Sequence, residues 1–105
     1  MVKTNQAFVH TVFFWLKEKL NTEHQAQLHA GLLELAKIQE IKEAYVGKPA
    51  DTNRPVIDSS YDFSITFIFE NKDKQDIYQT HPDHLKFIEN CSKLWSKVIV
   101  YDAIS

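Results

Sequence analysis

Residues 7–16 read AFVHTVFFWL, and this stretch is dense in the aromatic and β-branched residues that strands prefer. Successive side chains of a strand point to opposite faces, so Val12 and Phe14 lie on one face and Phe13 and Trp15 on the other. Both faces of this strand are therefore apolar. A strand of this kind predicts a sheet that needs a covering layer on each side.

The segment after this strand is predicted to be a helix. Leu28, Leu32 and Leu35 recur at helical spacing in it. Thr22 and Gln25 are spaced as a capping box, in which each side chain satisfies a free amide at the helix start. One face of the helix is apolar, and we expect that face to pack on the sheet.

Three more strands and a broken helix complete the pattern. The second strand is expected near residues 43–48, and the third, at 62–70, alternates between apolar and polar positions. Asn71 can cap the helix that follows, but Pro82 lacks an amide hydrogen, so it interrupts this helix and begins a new segment. Residues 95–104 are predicted to form the last strand, which is again apolar on both faces.

The resulting order, β-α-β-β-α-β, predicts one α+β domain over residues 1–105. Two strand-helix-strand halves fold most simply into a four-stranded antiparallel sheet with both helices on one face. Gly31, in the middle of the first helix, costs about 1 kcal/mol relative to alanine, so we expect a close approach to the sheet there. No third layer covers the opposite face. Burying apolar area stabilises by about 25 cal/mol per Å², so a homodimer packed sheet against sheet is predicted.

Composition excludes several classes of function. The 105 residues are 44% hydrophobic and 25% charged, as in ordinary globular proteins, and the net charge of −2 leaves no basic surplus for a nucleic-acid partner. The single cysteine, Cys91, cannot form an internal disulfide, which favours a reducing, cytoplasmic location. The apolar stretch at 7–16 is about half as long as a membrane span requires, so we expect neither membrane insertion nor a signal peptide.

Metal binding is not expected either. His24 and His29 lie on a charged helix near no cysteine or carboxylate cluster, and His81 with His84 lacks a third and a fourth ligand. Cys91 lies on the apolar face of the last helix and is predicted to be an inert core thiol.

Several motifs together resemble the stress-responsive α/β-barrel proteins, the Dabb family. They are HTVFF at 10–14, GKPA at 47–50, SYDFS at 60–64, YQTHPDH at 78–84 and LW at 94–95. The resemblance spans nearly the whole chain. It implies a ferredoxin-like monomer whose sheet packs against that of a second copy to form a dimeric α+β barrel.

The resemblance also implies site residues. One plant member, olivetolic acid cyclase, closes a linear polyketide by an aldol-type condensation, with a histidine as base and a tyrosine beside it. These correspond to His84 and Tyr78, which we predict to be catalytic. His10 corresponds to a pocket histidine, and Phe63 replaces another, a difference that argues against the same substrate. His10, Phe63 and His81 are predicted to contact the substrate.

The chemistry suits these residue types. A neutral imidazole can remove a proton next to a carbonyl, and a phenol can donate a hydrogen bond to the enolate that develops. Tyr78 and His84 are six positions apart, with Pro82 between them, so they converge only if the chain bends there. The alternative is that His81 and His84 only cap and orient the second helix at its break.

Two functions therefore remain open. The first is a small-molecule site for an aromatic or polyketide-like compound, with cyclase- or lyase-like general-base chemistry that uses no cofactor. The second is a non-enzymatic dimer that binds ligands or protects against stress, in which the histidine motif only stabilises the fold. An open apolar pocket that reaches His84 and Tyr78 favours the first, and a filled interior favours the second.

Overall fold

The computed structural model describes residues 6–105 and has the order β-α-β-β-α-α-β. The strands are β1 (Phe8–Leu16), β2 (Ile41–Gly47), β3 (Phe63–Phe69) and β4 (Trp95–Ile104), and the helices are α1 (Thr22–Leu35), α2 (Lys72–Thr80) and α3 (Pro82–Cys91). The predicted α+β fold is confirmed, and the predicted second helix is indeed divided at Pro82. None of the helices that the structure describes has the length and apolar character needed to span a bilayer.

The sheet is antiparallel with the strand order β2-β3-β1-β4, so β1 and β3 are its central strands. Every second side chain of these two strands is buried beneath the helices. The buried positions are Phe8, His10, Val12, Phe14 and Leu16 on β1, and Phe63, Ile65, Phe67 and Phe69 on β3. The helices thus cover one face of the sheet, as the alternation of apolar residues predicts.

The core forms where α1 and α3 pack on this face. Leu28, Leu32 and Leu35 of α1 are fully buried there. The Phe14 ring meets Phe87 of α3 edge to face, with the ring centroids 6.3 Å apart. Burial of each such side chain stabilises the fold by about 1.5–3 kcal/mol.

The helical layer does not extend over β4. Val98 and Val100 pair directly with Phe14 and Val12 and therefore point to the same face, yet both are about half exposed. Ile104, at the end of the strand, is more exposed still. The edge strand β4 consequently presents apolar side chains to solvent on the helix side of the sheet.

The cap of α1 differs from the prediction. Asn21, and not Thr22, caps the helix: its side-chain oxygen accepts hydrogen bonds from the backbone N–H groups of Glu23 and His24, each at 3.1 Å. The Gln25 side chain donates instead to a backbone carbonyl before the helix, at 2.6 Å. The predicted capping box was wrong because asparagine, one of the strongest N-caps, precedes the threonine.

Gly31 does lie at a close approach, but to α3 and not to the sheet. A Cβ atom placed on Gly31 would lie 2.9 Å from Sγ of Cys91 and 3.2 Å from the ring of Phe87. The absence of a side chain at this position therefore lets α1 and α3 pack closely. The predicted contact with the sheet was wrong because α3 fills the space next to this part of α1.

We expect Gly31→Ala to lower the free energy of unfolding by about 1–2 kcal/mol, because overpacking against Cys91 and Phe87 outweighs the better helix propensity of alanine. Urea unfolding measures the change. In a Cys91→Ala background the penalty should shrink, since Sγ is gone. Stabilisation by Gly31→Ala in the wild-type background would contradict the close approach.

Candidate functional site

The junction between α2 and α3 is determined by local sequence. Pro82 occupies the first turn of α3, where its missing amide hydrogen costs nothing. The extended residue His81 caps this helix, because its Nδ1 accepts a hydrogen bond from the backbone N–H of Asp83 at 3.0 Å. The resulting bend turns Tyr78, near the end of α2, and His84, at the start of α3, toward the same crevice above the sheet.

Tyr78 is at the centre of this crevice. Its ring centroid lies 4.7 Å from that of His84 and 5.7 Å from that of His10 on β1. Phe67 and Phe69 of β3 hold the other sides of the ring at centroid distances of 5.9 and 5.2 Å. The tyrosine is fully buried, so its position is fixed by packing.

Burial gives Tyr78 and His84 defined protonation states. It raises the pKa of Tyr78 well above the ordinary value, so the phenol keeps its proton and can donate a hydrogen bond. Burial also lowers the pKa of His84, the nearby His10 and His81 lower it further, and the Gln79 backbone partly opposes this shift. The imidazole of His84 is therefore neutral near pH 7.

One ring nitrogen of His84 has no hydrogen-bond partner. Its Nδ1 atom is buried and makes no hydrogen bond with any residue in the described part of the chain. A buried polar atom without a partner is costly, and such atoms are uncommon in folded proteins. A ligand in the cavity could form a hydrogen bond with this atom only if the ring turned toward it.

His10 is held by a carboxylate that sequence reasoning missed. Its Nδ1 lies 2.6 Å from Oδ1 of Asp102, which pairs directly with it across β1 and β4. A carboxylate can only accept, so Nδ1 of His10 carries the hydrogen and Nε2 faces away from Asp102. The sequence signal for this pair was an acidic residue, Asp102, in a largely apolar strand. Its position beside His10 depends on the register between β1 and β4, which the neighbouring residues do not determine.

These side chains line a cavity of about 190 Å³ between the sheet and the α2–α3 junction. Its polar groups are His10, Tyr78, Gln79 and His84, and the rest of the wall is aliphatic or aromatic and includes Trp95. Among residues 6–105, no lysine, arginine, aspartate or glutamate lines it. A larger groove of about 320 Å³ lies between α1 and α3, but none of the predicted site residues lines that groove.

Two of the five predicted site residues lie elsewhere. Phe63 is buried against His29 of α1, with the rings stacked at a centroid distance of 5.5 Å. The register explains its position: Phe63 pairs with Phe14, four residues and therefore about 13 Å along β1 from His10. His81 caps α3 outside the cavity. The structure thus brings together His84, Tyr78 and His10.

The remaining candidate groups are few. Within residues 6–105, no cluster of three or more histidine, cysteine, aspartate or glutamate side chains could hold a metal ion. Cys91 is buried, and this burial raises the pKa of its thiol, which disfavours the reactive thiolate.

A family model for the stress responsive A/B barrel domain matches residues 8–105. The chain belongs to this family, Dabb. The resemblance predicted from the motifs is therefore confirmed over nearly the whole sequence. No curated protein matches the chain.

Several solved structures have the same fold. A Dabb protein from Mesorhizobium loti has a TM-score of 0.78 and 21% identity, with 96% of this chain and 98% of that chain covered. The hydroxynitrile lyase from Passiflora edulis has a TM-score of 0.77 and 22% identity, with coverages of 97% and 95%. A dimeric ferredoxin-like protein of unknown function from Thermobifida fusca has a TM-score of 0.76 and 19% identity, with coverages of 100% and 96%. This Dabb chain thus has a ferredoxin-like fold.

We expect the pKa of His84 to lie below 6.5, the ordinary value for histidine, because burial disfavours its charged form. The unfolded chain binds this proton more readily, so the contribution of His84 to the free energy of unfolding rises with pH up to that value. NMR titration of the histidine ring signals measures the pKa, and His84→Asn identifies the signal. A midpoint at or above the ordinary value would contradict the buried, neutral state.

Proposed function

We propose that this Dabb protein binds a small uncharged carbonyl compound of aromatic or polyketide-like character and catalyses proton transfer on it, with His84 as the general base. The observation that supports this most directly is the convergence of two groups in one apolar cavity. These are the imidazole of His84, whose buried Nδ1 has no partner, and the phenol of Tyr78, whose raised pKa keeps it protonated.

His84 has the properties that a general base needs. It is mostly neutral at physiological pH because its pKa is lowered, so it has a lone pair to accept a proton. In the proposed step the imidazole takes a proton from the carbon next to the carbonyl. The electron pair of that C–H bond moves into the carbonyl group and forms an enolate. His84, now protonated, later returns the proton to the product, so no oxidant or cofactor is needed.

Tyr78 would stabilise the enolate oxygen. Its raised pKa means that it donates a hydrogen and does not compete with His84 for the proton. Phe67 and Phe69 fix its ring, so the donor is oriented before the substrate arrives. Donors fixed in this way stabilise a developing oxyanion more than water does, because they need not reorganise during the reaction.

His10 would orient the substrate as a third polar group. Asp102 holds its Nδ1 hydrogen, which fixes how the ring is turned within the cavity. The ring edge of His10 lies against Tyr78, so both contact the same part of a bound molecule. We assign His10 to substrate binding and Asp102 to positioning of His10.

The lining of the cavity supports the proposed class of substrate. The described residues that line the cavity include no lysine or arginine to pair with a phosphate or carboxylate, and burying an unpaired anion is strongly unfavourable. Aromatic walls, including Trp95, favour a flat apolar compound. The volume of about 190 Å³ lies below the range of about 300–1,000 Å³ typical of drug-sized ligands, which favours a small molecule.

We further propose that the protein is a homodimer joined through the sheet face that the helices leave open. An aromatic cluster lies on that face: the Phe13 ring contacts Tyr61 at 4.8 Å and Tyr101 at 6.2 Å between centroids, and Tyr101 is largely exposed. Exposed aromatic clusters of this kind mark protein interfaces. The description of the similar Thermobifida fusca protein as dimeric also supports this proposal.

Deuterium exchange tests the enzymatic proposal. In deuterium oxide, we expect the protein to accelerate exchange of the methyl protons of acetophenone, a small aromatic ketone. His84→Ala should lower the accelerated rate by about 10²–10⁴-fold, through loss of the base. Tyr78→Phe should lower it by about 10²–10³-fold, through loss of the oxyanion donor. NMR follows the loss of the methyl signal.

His29→Asn is the matched control, because His29 stacks on Phe63 away from the cavity and should keep the wild-type rate. Unchanged rates in both site variants would exclude the proposed roles. Saturable binding of acetophenone without exchange above the buffer rate would support the second function, that of a non-enzymatic binding protein.

A further inference from the structure

We infer that the second copy in the dimer packs over the edge strand β4 and closes the mouth of the cavity, so that the site is complete only in the dimer. This inference rests on the proposed homodimer. It goes beyond that proposal by assigning the partner a role in the ligand site of each subunit.

Apolar side chains of β4 are far more exposed than the β1 residues with which they pair. Val98 pairs with Phe14, and Val100 pairs with Val12, so each pair shares one face of the sheet. The β1 members are 3% and 4% exposed, whereas Val98 and Val100 are 42% and 49% exposed. Ile104, further along the same face, is 71% exposed. The helical layer ends between β1 and β4, and the part of the chain that the structure describes leaves this apolar strip uncovered.

That strip forms the mouth of the cavity. Val98 and Val100 line the cavity on the β4 side, and Ile88 of α3, which is 38% exposed, lines it on the helix side. These three partly exposed side chains therefore lie between solvent and the space around His84 and Tyr78. A proton-transfer site benefits from the exclusion of water, which strengthens the hydrogen bonds made inside it.

The uncovered strip is continuous with the proposed dimer face. Tyr101 is on β4, one position from Val100, and points to the open face of the sheet, where it joins the cluster around Phe13. A sheet that covers Tyr101 therefore reaches the edge of β4. Within residues 6–105, this edge also carries backbone N–H and C=O groups without a neighbouring strand, because β4 is last in the strand order. A free apolar edge of ten residues is a typical site for pairing with another chain.

Asp102 adds a second reason for closure by a protein. Its side chain is 42% exposed at the same edge, although it binds His10, which is nearly buried. Solvent competes with this hydrogen bond in a single copy. Covering the edge with polypeptide would exclude that water while backbone N–H groups could satisfy the remaining carboxylate lone pairs, which an apolar ligand could not do.

Two routes to the monomer test this inference. Ile104→Glu places a charge on the exposed strip at a residue that does not line the cavity, and dilution of the wild-type protein gives monomer without a substitution. Leu33→Glu is the matched control: Leu33 is also exposed, but it lies on α1 in the helical layer. Sedimentation velocity gives the fraction of monomer in each sample.

Two readouts report on the site. Carbethoxylation of His84 by diethyl pyrocarbonate, followed by peptide mass spectrometry, needs no ligand, and quenching of Trp95 fluorescence by acetophenone measures binding. In monomeric samples from either route we expect His84 to react at least about 10-fold faster and acetophenone to bind at least about 10-fold more weakly. The Leu33→Glu protein should match the wild-type dimer in both.

The outcomes separate this inference from the proposed function. Equal reactivity of His84 in monomer and dimer would overturn the inference, as would a wild-type protein that does not dimerise. Faster reaction of His84 in the monomer, without acetophenone binding in any sample, would support closure by the partner and count against the proposed substrate class alone.

Discussion

The structure depends on one constraint: three helices lie on one face of a four-stranded sheet, and they cover only its central strands. Beneath them β1 and β3 bury every second side chain, which forms the core. On the opposite face, no layer formed by the described residues covers the aromatic side chains, and β4 is exposed on both faces. The cavity opens at the boundary between the covered and the uncovered strands. The site and the proposed dimer thus arise from the same incomplete coverage.

Much of this fold follows from patterns of neighbouring residues. The alternation on β1 and β3 predicts the buried face, and Pro82 predicts the break between α2 and α3, because both depend on local stereochemistry. Predictions were wrong where the result depended on how two elements pack together, or on two neighbouring groups that can play the same role. Asn21 and Thr22 can both act as an N-cap, and the structure uses Asn21. Gly31 faces α3 and not the sheet, and the sequence of one helix does not predict which element packs against it.

The site was predictable in part for the same reason. Tyr78 and His84 converge because the bend between them is encoded in the His81–Pro82 step, so motif and geometry agree. Phe63 lies away from the cavity, and the sequence did not predict this. The alternation of side chains gives the face to which a strand residue points, but not its position along the strand relative to its neighbours. Asp102 was missed because its partnership with His10 joins residues 92 positions apart, and only the register of β1 with β4 reveals it.

Sedimentation velocity of the wild-type protein at micromolar concentration tests this account most directly. A sheet with an uncovered apolar face should associate, so we predict a single species of twice the 12.3 kDa chain mass. A stable, folded particle with the mass of one chain would show that the open face of the sheet is stable in contact with water. This result would contradict both the proposed homodimer and the closure of the cavity by the partner.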